Sequence, residues 1–132
     1  FTSFLVKAQS ENAISGVWYN TEKTAKVEIL KKGSAFIGKI VWLKDPNPGG
    51  KPAVDKDNPD AKLKSRPLMG LNLLEGLKFD SGMWEDGTIY DPKTGKTYSC
   101  QVTLKSKDVL EVKGYIGFSL IGRTVEWTKA KP

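Results

Sequence analysis

Over most of this chain apolar and polar residues alternate with a period of two, the spacing of a strand with one buried face. "TAKVEILKKG" sets Ala25, Val27 and Ile29 against Lys26 and Glu28. After a turn at Lys32-Gly33, "AFIGKIVWL" carries Phe36, Gly38, Ile40 and Trp42 on one face. Its other face holds Ile37, Val41 and Leu43, broken by Lys39. From residue 87 onward the same rhythm runs through four more strands. "DPKTGK" (91–96) separates the first two, with Pro92 preset for a bend and Gly95 suited to positive φ. "KSKD" (105–108) and "GFS" (117–119) supply the next two turns. The predicted strands are 15–21, 24–32, 35–44, 68–79, 83–91, 97–105, 108–117 and 120–129. Short strands with close turns predict an all-β, eight-stranded antiparallel barrel of the up-and-down kind.

Two stretches depart from this rhythm. "RPLMGLNLLEGLKFD" (66–80) reads as a helix opened by Pro67 and ended by Gly76, or as a strand over 68–79 kinked at Gly70 or Gly76. Its two glycines and missing polar phase favour the strand. Residues 44–67, "KDPNPGGKPAVDKDNPDAKLKSRP", have no apolar rhythm and form a long loop or lid after the third strand. Residues 1–14 form an N-terminal extension to a single domain that spans 1–132. The first residue is Phe1, which leaves an upstream export segment as an open expectation.

Composition narrows the chemistry. The chain has no histidine and one cysteine, Cys100, at an alternating apolar position. Histidine triads and most zinc sites are thereby excluded, and no internal disulfide can form. Net charge is +6, which invites a nucleic-acid reading. Lysine supplies 19 of the 21 basic residues, whereas base and phosphate readout favours arginine. Lys26, Lys39, Lys105 and Lys113 each fall out of phase with apolar strand neighbours, as on a solvated outer face. No nucleic-acid partner, cofactor or transmembrane span is expected.

Spacing decides among the candidate motifs. "DKDNPD" (55–60) suggests a calcium loop, but Asp60 stands where the sixth-position Gly belongs and Arg66 where the twelfth-position Glu belongs. Asn and Asp turns ahead of Pro59 are the simpler reading. "GLNLLEG" and "PGGK" lack the spacing of a phosphate loop. Glu85, Asp86 and Asp91 are carboxylates that could line a mouth in a histidine-independent enzyme. An eight-stranded barrel has an interior wide enough for its own side chains or for one small ligand. Trp42, Trp84, Tyr90 and Tyr115 are the expected lining, with Arg66 as a polar anchor at the mouth. Each could equally be core filling.

Arg123 poses a separate question. In "LIGRTVEWTKA" it shares a strand face with Val125 and Trp127, although only two arginines occur in the chain. "SGVWYN" opens the first strand, which neighbours the last in a closed meander. Stacking of the planar guanidinium on Trp18, beside Gly16, would explain an arginine there.

Gly16-x-Trp18 on the first strand with Arg123 on the last resembles the lipocalin and wider calycin signature, in which the two side chains close one end of the barrel. Most of the chain also resembles a family of small bacterial envelope proteins known only as a domain of unknown function. The runs that carry this are "GVWYN", "GKIVWL", "DNPD", "RPLMGL", "DGTIYDPKTGKTYSC", "KGYIG" and "GRTVEWT". The resemblance implies a lipocalin-like barrel, a periplasmic or secreted location, and no established activity. The combined expectation is non-enzymatic binding of a small apolar or amphipathic ligand. An envelope module that binds a protein, glycan or membrane surface is the alternative, and an enzyme without histidine the weaker one.

Overall fold

The computed structural model describes residues 10–116 and 122–131. Eight antiparallel strands close into a barrel in chain order, each paired with its sequence neighbours and the last with the first. They are β1 (Gly16–Tyr19), β2 (Ala25–Lys32), β3 (Ala35–Leu43), β4 (Asn72–Asp80), β5 (Met83–Asp91), β6 (Lys96–Ser106), β7 (Val109–Tyr115) and β8 (Gly122–Lys129). The expected barrel is therefore present strand for strand. The helix reading of 66–80 gives way to a strand that begins at Asn72, with Gly76 at φ +72° inside it. The predicted turn at 117–119 lies outside the described residues. Among the described residues no helix is long and apolar enough to cross a membrane.

The two ends of the barrel differ. One end carries the β2–β3, β4–β5 and β6–β7 turns and a 3-10 turn, Glu11–Ile14. Its interior is packed solid. Ile14, Trp18, Phe36, Leu77, Trp84 and Leu110 are each at most 1% exposed. Burying side chains of this size is worth roughly 1.5–3 kcal/mol apiece. Two tryptophans fix the 3-10 turn as a plug. The Trp18 indole donates to the Ile14 carbonyl at 2.9 Å, and the Trp84 indole to the Glu11 carbonyl at 3.0 Å. Lys31 adds an ion pair to Glu11 at 3.0 Å.

The other end carries the β1–β2 and β5–β6 turns and the long loop between β3 and β4. Asn20 organises the first of these: its side-chain oxygen accepts from the backbone amides of Thr24 and Ala25. Asp91 does the same in the second, where Gly95 adopts φ +74°. This is the turn expected of "DPKTGK".

The long loop is a tied strap. Val54 and Pro67 form a bridge, with the Asp55 amide donating to Arg66 O and the Leu68 amide to Ala53 O. The Gly70 amide donates to Ile40 O, and Ile40 donates back to Leu71 O, so the strap rejoins β3 before β4 begins. Gly95 sits so close to Asp57 O and Pro59 that any side chain there would collide with them. The "DNPD" segment thus rests on the β5–β6 turn.

Candidate functional site

Above the solid end the barrel is hollow. An open cavity of about 1090 Å³ runs to the mouth. Its floor and walls are apolar, with Val27, Ile40, Leu73, Val112, Val125 and Trp127 among them. Tyr90, Tyr98 and Tyr115 are also among its lining residues. The rim is polar and carries both signs: Glu22, Asp45 and Asp91 with Lys44, Lys93 and Arg123. Inward positions on β7 run Leu110, Val112, Gly114, and the last has no side chain. A Cβ at Gly114 would meet Tyr98 and Ile89 at ordinary contact distances, so part of the hollow exists because that position is glycine.

The expected lining residues separate into three groups. Tyr90 and Tyr115 line the cavity. Trp84 does not: it is fully buried in the solid end, with its ring centre 4.9 Å from that of Phe79. Trp42 lies outside. The pairing shifts from Val27↔Ile40 to Lys26↔Trp42, so β3 carries an extra residue at Val41. Such a bulge reverses the alternation beyond it. Trp42 then meets Tyr19 edge to face on the outer surface, and Leu43 takes the inward position at the cavity.

Arg66 is a strap residue and does not line the cavity. Its Nε donates to Asp55 Oδ2 at 2.9 Å, and its guanidinium lies 5.5 Å from the centre of the Tyr90 ring. Asp55 is completely buried. Asn58 donates to the same Oδ2 at 2.8 Å, and the Tyr90 hydroxyl to Oδ1 at 2.7 Å. Burial alone pushes the Asp55 carboxyl up, but hydrogen bonds from Asn58, Tyr90 and Arg66 and the Arg66 charge together hold it below its ordinary 3.8. Burial and the adjacent Asp55 raise the Tyr90 hydroxyl above its ordinary value. Four side chains from strap and barrel wall thus form one saturated network. Sequence reading placed Arg66 and Tyr90 at the site, and named Asp55 only with Asp57 and Asp60, as turn aspartates or a loose metal set. The signal lay in its position two residues after Ala53, the last apolar residue before the bridge.

Arg123 faces inward as its alternation predicts, but at the open end. It is exposed, lines the cavity mouth and pairs with Gly114 of β7. The proposed stacking on Trp18 does not occur, because β8 runs antiparallel to β1. Trp18 therefore faces the end of β8, in register with Lys129. The Lys129 ammonium lies 4.8 Å from the centre of the Trp18 ring. Gly16, at φ +138°, has no side chain to obstruct it. The cation over Trp18 is a lysine, and the closure expected from Arg123 is not formed.

The candidate carboxylates are divided between the ends. Glu85 and Asp86 lie early in β5, away from the cavity, while Asp91 sits at its rim and is engaged in the turn. Burial pushes the Cys100 thiol up to about 12, which keeps it protonated. Among the described residues no group of three metal-ligating side chains could hold a metal ion.

Comparisons place this geometry among known proteins. The profile of a family described as "Uncharacterized protein conserved in bacteria (DUF2147)" matches residues 16–129. Among solved structures the chain is similar to protein HP1028 from Helicobacter pylori, described as belonging to the lipocalin family. The two share 26% identity with a TM-score of 0.77, over 89% of this chain and 83% of that one. No curated protein matches the chain.

Proposed function

The chain belongs to the bacterial family DUF2147, and we propose that its barrel binds a small, partly apolar molecule in the open half without chemically changing it. One observation carries this reading: a cavity of about 1090 Å³ with an apolar floor, tyrosine walls and a mixed-charge rim. Ligand sites typically combine such an apolar enclosure of several hundred Å³ with a few convergent polar groups. The similarity to a lipocalin-family barrel supports it. So does the state of the reactive candidates. The Cys100 thiol is buried and protonated, and the Asp55 carboxylate is saturated by donors. The periplasmic or secreted location implied by resemblance fits a carrier of this kind.

Native mass spectrometry of the protein purified under mild conditions tests the reading. A co-purifying small molecule, reduced in a variant whose cavity is narrowed by a side chain at Gly114, is the expected result. A clean mass, together with no uptake of environment-sensitive apolar dyes, would overturn it.

A further inference from the structure

Beside the mouth, on the outside of the barrel, a row of side chains crosses three strands. Tyr19 of β1 is in register with Lys26 of β2, which is in register with Trp42 of β3. The two rings meet edge to face with centres 6.1 Å apart. The Lys26 ammonium lies 5.1 Å from the centre of each, and the Lys23 ammonium 4.8 Å from that of Tyr19. Tyr19 and Trp42 are both partly exposed, and Val41 next to them is 37% exposed. The bulge that takes Trp42 out of the interior is what completes this row.

Charge on this face is predominantly positive. Lys23, Lys26, Lys39 and Lys44 form no ion pair with any described residue. Glu28, in register with Lys39, is the acid on the same strands, and Glu22 and Asp45 stand at the rim. The chain as a whole carries +6. The row is also continuous with the mouth, because Asn20 and Leu43, the residues after Tyr19 and Trp42, line the cavity.

We propose that this face docks on an anionic phospholipid surface, with Trp42 and Tyr19 entering the headgroup layer and the lysines meeting lipid phosphates. Tryptophan and tyrosine suit that boundary because each has an apolar body and a polar tip. Lysines near an anionic leaflet are attracted without any need for fixed geometry. A barrel wall is convex, and a bilayer is a partner that requires no matching concave pocket. Docked this way, the mouth lies next to the bilayer, where an apolar ligand would enter or leave. The docking stands independently of whether the cavity is occupied.

Titration with phosphatidylcholine vesicles, with and without phosphatidylglycerol, tests the proposal. Trp18, Trp84 and Trp127 are all at most 5% exposed, so a blue shift in emission reports Trp42. The expected result is a blue shift and co-sedimentation only with phosphatidylglycerol present, both reversed by salt. Each lysine contributes about fivefold near such a surface, so Lys23→Glu with Lys26→Glu lowers the partition coefficient by at least tenfold. Lys96→Glu with Lys113→Glu, on β6 and β7, changes net charge equally and is expected to lose far less. Melting temperatures of both double variants are measured to show that each is folded. No vesicle binding, equal binding to neutral vesicles, or equal loss in the two double variants would overturn the proposal. Gly114→Val, which narrows the cavity, is expected to bind vesicles as the wild type does.

Discussion

Lys129 stands over the face of Trp18 with its ammonium 4.8 Å from the ring centre, and Arg123 lies at the other end of the barrel. The indole closes the solid end, so the cation above it covers an otherwise exposed aromatic face. A lysine suffices there because its stem packs along the ring and its head reaches solvent.

Removing that cation has a measurable cost. Lys129→Ala is expected to destabilise the protein by about 0.5–2 kcal/mol, from lost cation–π attraction and lost stem packing. Arg123→Lys is expected to leave stability within the roughly 0.5 kcal/mol scatter of surface changes. Thermal melts of the two variants side by side decide this. A larger loss in the arginine variant would contradict the assignment.

Asp55 ties the strap to the wall. Asp55→Ala leaves Arg66, Asn58 and Tyr90 without their shared acceptor. The side chain of Arg66 is about a third exposed, at 34%. The expected loss is therefore about 2–3 kcal/mol, less than the roughly 3–5 kcal/mol of a fully buried pair. Denaturant titration measures it.

The same carboxyl has a pH signature. Its folded-state pKa lies below the ordinary 3.8, so its stabilising contribution is fully present above that value. The contribution is lost as pH falls through the folded-state pKa. Asp55→Asn should remove this part of the acid dependence and leave the profile flatter below about pH 4. Urea midpoints measured from pH 6 down to pH 2 in both proteins provide the check.

Gly114 leaves part of the hollow open. Its φ is ordinary and its Cβ direction meets only normal contacts, so Gly114→Val should fold with stability within about 1 kcal/mol of wild type. It should also weaken uptake of apolar dyes, because the new side chain narrows the cavity where Tyr98 and Ile89 approach it. Fluorescence titration with such a dye, paired with a melt, separates the two effects.

Cys100 should be inert in the native protein. Burial holds its thiol near 12, and the side chain is 0% exposed. Iodoacetamide at pH 8 is expected to leave it unmodified until denaturant is added. Mass spectrometry before and after unfolding reads the outcome.

Much of the barrel was legible in the sequence because alternation and turn chemistry are local properties. The strand from Ala25 to Lys32 and the turn at Asp91–Gly95 follow from neighbours alone. The face of Arg123 was equally legible; its end of the barrel was not. That depends on the direction of β8 relative to β1, which follows from closure and not from any one strand. Trp42 was misplaced for a different reason. A single inserted residue at Val41 reverses the alternation, and nothing in "GKIVWL" marks it. Trp84 has the inward parity of a lining residue but lies too near the start of β5 to reach the hollow half. Tyr90 and Tyr115 lie near the ends of β5 and β7 that reach the mouth, and both do line the cavity. The Asp55 network escaped prediction because its partners are three, eleven and thirty-five residues away.

The division of the barrel into a solid end and a hollow one also bears on how such a protein can change. Truncating Trp84 or Leu77 opens a void inside close packing. Altering Val125 or Tyr115 reshapes a space that is already open, at much lower cost in folding energy. The wall around the cavity can therefore accumulate substitutions, and with them new ligand preferences, while the plugged end continues to hold the fold.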